Sequence, residues 1–428
     1  MLDRHKAPEI HEIEAVTLQI AEVTHLSNGA RLHYIKSETQ PVVRLDFVFK
    51  AGKWYEPKPG VSDLAGKMLF EGTVNHTAKQ IAEKVAFYGA TFDNNQGYDR
   101  TEFTLYCLSK YMPELLPLVL DVLQNPIFPE SEFNLLKKRN QQNLKVQRQK
   151  NSYLATHSFT KLIYGDGHPY VFGLNENGLD NISREELEGF YKSRFSTKNL
   201  EVFACGSIDD SMQILLEKEI QDLNLQGSTS EGDTGASISA KEKSAFVDMP
   251  ESIQSSIRIG KRFPKIQHED YHRLVVLNEI LGGYFGSRLM RNIREDKGYT
   301  YGIYSAISPK EHDSLFYIGT DVNYQVTDST IEEIRKEIHQ LQSEPVPEDE
   351  LHVVKNYMLG KFLNDIATIF EQCDRYKRIV LQNLPYEHYN NYIATVRAVT
   401  AEELKELAQR YLQPDELKTA VAGKKAGK

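Results

Sequence analysis

The chain has 428 residues, of which 40% are hydrophobic and 26% charged, and a formal net charge of −9. Those values fit a soluble globular protein of two or three domains. They exclude nucleic-acid binding as a leading function, because no basic excess is present to meet a phosphate backbone. Three scattered cysteines, Cys107, Cys205 and Cys373, offer neither a disulfide framework nor a CxxC metal pair, and read as buried thiols. No apolar run approaches the roughly 18–20 residues needed to cross a bilayer, and the opening MLDRHKAPEIHEIEA lacks the apolar stretch of a secretory signal. The expected setting is the cytoplasm without membrane contact, or the periplasm if the chain had been trimmed.

In chain order, residues 43–50 (VRLDFVFK) alternate apolar and polar side chains as a half-buried strand does. Residues 77–88 and 112–123 place apolar side chains at i, i+3, i+4 spacing and predict helices, separated by an alternating strand at 101–108 (TEFTLYCL). A long helix is expected over 130–150, opened by Pro129-Glu130-Ser131-Glu132-Phe133. Ser183 and Glu186 form a capping box at the head of another, which ends in Phe190-Tyr191. Residues 224–243 (NLQGSTSEGDTGASISAKEK) are rich in Gly, Ser and Thr without apolar periodicity, a linker composition.

Beyond the linker the same openings recur. Pro347-Glu348-Asp349-Glu350-Leu351 repeats the Pro129 segment, and Val399-Thr400-Ala401-Glu402-Glu403-Leu404 repeats Ile182–Leu187, with offsets that agree to within one residue. Such agreement points to tandem duplication of a unit of about 200 residues. The expected division is 1–223, a linker over 224–243, and 244–428. Strands in runs followed by helices in runs favour α+β units, each a largely antiparallel sheet covered by helices. The two units are expected to face each other as a clamshell.

Two strings in the second unit invite chemistry. His268-Glu269-Asp270-Tyr271-His272 matches HExxH, which on a helix would aim two imidazoles at one Zn²⁺ with Glu269 as base. It lies where an amphipathic helix is only starting, and Asn278-Glu279 follows too closely to supply a third ligand, so a solvated helix start is the expected role. The glycines of Gly282-Gly283-Tyr284-Phe285-Gly286-Ser287 lack both the G-x-G-x-x-G spacing and the GK[ST] ending of phosphate loops.

The segment from Leu281 to Ser305 resembles the C-terminal signature of the pitrilysin/insulinase/mitochondrial processing peptidase family: glycines, Ser287-Arg288-Leu289, then Arg294 seven residues before Tyr301. Gly60–Thr73, His168-Pro169-Tyr170 and the strand ending at Gly206 follow the family's order, so the resemblance spans nearly the whole chain. Active members hold zinc with HxxEH on the first helix and a later glutamate. Anchored on Met68-Leu69-Phe70-x-Gly72-Thr73, the resemblance puts Asp63 and Lys67 at the histidine positions, Gly66 at the base and Asn143 near the distal glutamate. It therefore implies no metal site in this chain. Arg294 and Tyr301 remain as the implied catalytic pair. Tyr301 would serve as oxyanion donor and Arg294 as substrate anchor, with Tyr299 the competing phenol.

The resemblance further implies a zinc-bearing HxxEH partner subunit, with the zinc in that partner and no cofactor here, or a homodimer in its absence. Unfolded peptides would be the substrate, added as a strand to a sheet edge near 89–103. The alternatives are a purely structural assembly subunit and a stand-alone HExxH peptidase using His268, Glu269 and His272.

Overall fold

The computed structural model describes residues 18–228 and 241–425. Residues 229–240, the centre of the expected linker, lie outside them. The first unit runs β1 (Glu22–His25), β2 (Arg31–Lys36), β3 (Val42–Phe49), α1 (Val61–Met68), α2 (Ala78–Phe87), β4 (Thr91–Gln96) and β5 (Thr101–Leu108). It continues through α3 (Met112–Gln124), α4 (Glu130–Gln147), α5 (Asn151–Tyr164), α6 (Arg184–Arg194), β6 (Glu201–Gly206) and α7 (Asp210–Gln221). The second runs β7 (Ser244–Asp248), β8 (Gln254–Arg262), α8 (Tyr271–Asn278), π-helical turns at Glu279–Gly283 and Met290–Asp296, β9 (Ile303–Pro309) and β10 (Ser314–Asn323). Five helices follow, α9 (Thr327–Ser343), α10 (Glu348–Asn364), α11 (Ile369–Leu381), α12 (His388–Ala398) and α13 (Ala401–Tyr411), then β11 (Lys418–Gly423).

The α+β class and the repeat both hold. Sheet one has the order β1-β2-β6-β3-β5-β4 and sheet two β7-β11-β8-β10-β9. Apart from the extra β1 the orders coincide, and each sheet has a single parallel pair, β2 with β6 and β7 with β11. The matched capping boxes are formed as well: Ser183 and Thr400 each accept from the backbone N–H three residues on. β4 and β9 are the corresponding outermost strands.

The units are less self-contained than the sequence suggests. Every residue of β6 is buried, so sheet one has an apolar face beyond the one its own helices cover. The cover comes from the other unit. Cys373 and Tyr376 of α11 pack with Ile35, Val48, Phe203 and Cys205 of sheet one. In return, Phe159, Leu162 and Ile163 of α5 cluster with Leu315 and Ala420 of sheet two. α5 and α11 are counterparts in the duplication, so the exchange is reciprocal and locks the two-part clamshell.

Polar contacts reinforce this lock. His33, buried in sheet one, places Nδ1 2.8 Å from the Tyr376 hydroxyl and Nε2 2.9 Å from Glu201. Lys377 Nζ lies 3.0 Å from Asp46 Oδ2 and also meets Glu102, while Arg44 bridges Asp46 at 3.2 Å and Asp374 at 2.7 Å. The β9–β10 turn docks into the first unit. There His312 stacks on Trp54 with centroids 4.0 Å apart, and the Lys310 ammonium lies 5.1 Å from the Tyr98 ring and 5.3 Å from that of Tyr170.

Candidate functional site

Helix α1 is preceded by Gly60 at its N-cap, whose φ of 98° is left-handed and whose missing Cβ would lie 3.0 Å from Leu179. Half-buried Glu56 caps the helix, accepting from the Gly60 and Ser62 backbone N–H groups at 3.1 Å and from the Ser62 hydroxyl at 2.6 Å. Burial raises its carboxyl above the ordinary range, against the pull of those donors. Val61, Leu64, Ala65 and Met68 face the core. Asp63 and Lys67, one turn apart, share the partly exposed side.

The Lys67 ammonium donates to Asp63 Oδ2 at 2.8 Å and to Asn140 Oδ1 at 3.1 Å. Asn140 is oriented in turn by its own donation to the Leu136 carbonyl at 2.9 Å. Asn140, on α4, is therefore the residue brought to this position. Asn143, expected from spacing, is exposed one turn farther on. At Gly66 a Cβ would come within 2.5 Å of Asn94 Nδ2 on β4, so the space a catalytic carboxylate needs is filled by Asn94. The second unit repeats this close approach of helix to outer strand, a Cβ at Gly282 meeting the Ser305 backbone nitrogen at 2.6 Å.

This donor set does not fit zinc. A carboxylate and an amide flank an ammonium that already neutralises the carboxylate, and a divalent cation would have to displace that charge. Among the described residues no three His, Cys, Asp or Glu side chains gather as a metal would require.

Arg294 sits in the second π-helical turn, and Tyr301 lies in the loop before β9, two residues short of where that strand begins. Arg294 Nε donates to the Tyr301 carbonyl at 3.1 Å, and its guanidinium lies 4.6 Å from the Phe285 ring centroid. Tyr301 is 98% exposed, whereas Tyr299 is half-buried against the second unit's core and lines the same cleft, so the two phenols differ in exposure but not in location. Arg294 and Tyr301 line one open cleft with Ile253, Glu295 and Asp321. Phe285 and Asn140 are the residues that sequence reasoning missed. An exposed Phe amid glycines was the signal for the first; only the fold identifies the second.

The HExxH string is pulled apart. His268 precedes α8 and its Nδ1 accepts from the Asp270 N–H at 3.1 Å, while His272 is inside the helix with its ring 4.6 Å from that of His388. Nor is the helix start merely solvated. Asp270 is buried and accepts from the Tyr411 hydroxyl at 2.7 Å, Arg273 at 3.1 Å and Arg410 at 3.2 Å.

Burial holds His272 and His388 at about 4, each neutral in the folded chain. The unfolded imidazoles protonate near 6.5, so their contribution is complete above that pH and is lost as pH falls from about 6.5 to about 4. Thermal melting across that window should show a falling Tm, with a shallower slope in His388→Phe.

Residues 31–166 match the family model described as Insulinase (Peptidase family M16), and residues 181–358 match that of the Peptidase M16 inactive domain. The chain is 25% identical over 400 residues to the Bacillus subtilis "Uncharacterized zinc protease YmxG", covering 91% of this chain and 95% of that one. It is 22% identical over 420 residues to the Helicobacter pylori "Non-peptidase homolog YmxG", covering 95% and 96%. A crystal structure of a peptidase M16 inactive domain from Pseudomonas fluorescens superposes with a TM-score of 0.87 at 22% identity, over 95% of this chain and 99% of that one. The crystal structure of a protease from Helicobacter pylori gives the same score at 17% identity, over 95% and 100%. Both structural likenesses bear on the fold.

Proposed function

Because this chain belongs to the insulinase family, peptidase family M16, we propose that it is the zinc-free subunit of a two-chain metallopeptidase acting on unfolded peptides. Its partner, an HxxEH relative, would carry the zinc and the general base. This chain would contribute Tyr301 as oxyanion donor and Arg294 as a substrate anchor that also fixes the Tyr301 backbone. The observation that carries the reading is the contrast between the two sites. Lys67 closes one with an ion pair, whereas Tyr301 presents an almost fully exposed phenol from a pinned backbone. β4, hydrogen-bonded on one side only, supplies an edge to which an extended peptide could add.

The chain alone is expected to purify with substoichiometric zinc and to show no chelator-sensitive peptide cleavage. Elemental analysis and a quenched-fluorescence peptide assay check this, and zinc lost on His268→Ala would revive the HExxH alternative. Co-expression with an HxxEH relative should yield a complex on size exclusion that gains peptidase activity. A second reading, a purely structural subunit, is favoured by the name "Non-peptidase homolog" carried by the Helicobacter pylori relative. It expects the complex to form and the Tyr301 hydroxyl to be dispensable.

A further inference from the structure

A cavity of about 220 Å³ lies within the second unit, between α8 and helices α10, α11 and α12, and neither Arg294 nor Tyr301 lines it. Glu279, the first residue of a π-helical turn, forms part of its wall. Only 8% of Glu279 is exposed, and its Oε1 has no hydrogen-bond partner among the described residues. Beside it Asn278 donates Nδ2 to the Ser305 carbonyl at 3.3 Å and leaves Oδ1 likewise unpartnered. The chain makes room for the acid: a Cβ at Gly283 would lie 2.4 Å from Glu279 Oε2. His272 and His388 also line the cavity, and neither ring hydrogen-bonds to a described residue.

Buried polar groups are almost always paired, and several acceptors left open around one void call for an occupant that donates. The charges are graded. Glu279 is buried, whereas Lys361 and Arg378, which also line the cavity, are exposed. Arg375, a third cation, is already engaged by Asp365 at 2.7 Å. The rings of Tyr271, Phe362 and Tyr392 supply apolar wall between. An ammonium inside, a carboxylate outside and an apolar body between them is the complement.

We propose that this cavity binds a free α-amino acid with an apolar side chain, its ammonium on Glu279 and its carboxylate toward Lys361 and Arg378. Burial raises the Glu279 carboxyl against the attraction of Lys361, and a docked ammonium would favour its ionised form.

The test is calorimetric titration of the full-length chain with phenylalanine, N-acetylphenylalanine and phenylalaninamide. Phenylalanine should bind at one site, and N-acetylation should weaken it roughly 10- to 100-fold, the value of a charge-assisted hydrogen bond. Glu279→Gln should weaken phenylalanine to the same degree while leaving the N-acetyl form unchanged. Arg378→Gln, an exposed substitution that keeps the fold even if Glu279→Gln does not, should weaken phenylalanine but not phenylalaninamide. No binding of phenylalanine to the folded chain, equal affinity for the N-acetyl form, or an Arg378→Gln variant that binds phenylalanine like the parent would overturn the assignment.

Discussion

In a complex reconstituted with an HxxEH relative, Tyr301→Phe is expected to lower kcat by about 10²–10³, or roughly 2.7–4 kcal/mol, the usual loss for a single oxyanion donor. The substitution removes one hydroxyl from a ring that is 98% exposed, so nothing in the core of this chain is disturbed. The backbone that positions the ring is also unchanged, because Arg294 grips the Tyr301 carbonyl and not its side chain. The loss should fall on kcat with KM little altered, since the bond strengthens only as charge develops on the substrate oxygen. Tyr299→Phe is the internal control: its ring is half-buried in the same cleft, and its hydroxyl is given no role. Arg294→Lys should raise KM as well, because an ammonium cannot reproduce the planar fork that holds both the carbonyl and the Phe285 face. Full activity of Tyr301→Phe in a verified complex would leave the structural reading in possession.

Lys377→Met is expected to destabilise the chain by about 3 kcal/mol, the lower end of the roughly 3–5 kcal/mol for breaking a buried ion pair. Lys377 is 15% exposed and stands between Asp46, which is 1% exposed, and Glu102. Removing the cation leaves Asp46 with Arg44 and the Thr104 hydroxyl, which is why the larger figure is not expected. Among the described residues Glu102 hydrogen-bonds to no other cation and keeps only the weaker attraction of Arg44, and burial already raises its carboxyl despite the attraction of Lys377. Urea unfolding checks the value. Adding Glu102→Gln to Lys377→Met should restore part of the loss, as a double-mutant cycle on touching charges requires.

The sequence was a good guide wherever periodicity or spacing acts locally. The alternation at 101–108 became β5, and the matched Pro-Glu and capping-box openings marked a repeat whose two sheets share one strand order. What it could not convey was which surface each apolar stripe would find. The stripe of α11 says that the helix must be covered, but not that it crosses to sheet one. The same blindness affected the degenerate site. Counting along the chain assigned Asn143, yet three residues on a helix are about 4.5 Å of rise and most of a turn, so rotation decided for Asn140. Gly66 reads in sequence as a lost proton carrier. In the fold it is also a close packing point, and that depends on where Asn94 arrives. The HExxH string failed as a pattern because helix α8 starts at Tyr271, between its two histidines.

The exchange of α5 and α11 also orders events at the ribosome. Sheet one is complete in sequence at Gly206, but the helix that covers Ile35, Val48, Phe203 and Cys205 begins only at Ile369. At about 5–20 residues per second, that face waits on the order of 8–30 s during synthesis. α5 meanwhile is made before any strand of the sheet it serves. The first unit therefore cannot finish folding ahead of the second, as consecutive domains ordinarily do. Nascent chains arrested before Ile369 are expected to engage holdase chaperones, and chains released after Gly423 are expected to let go. Equal chaperone capture of both would mean that the uncovered face finds a temporary cover within its own unit.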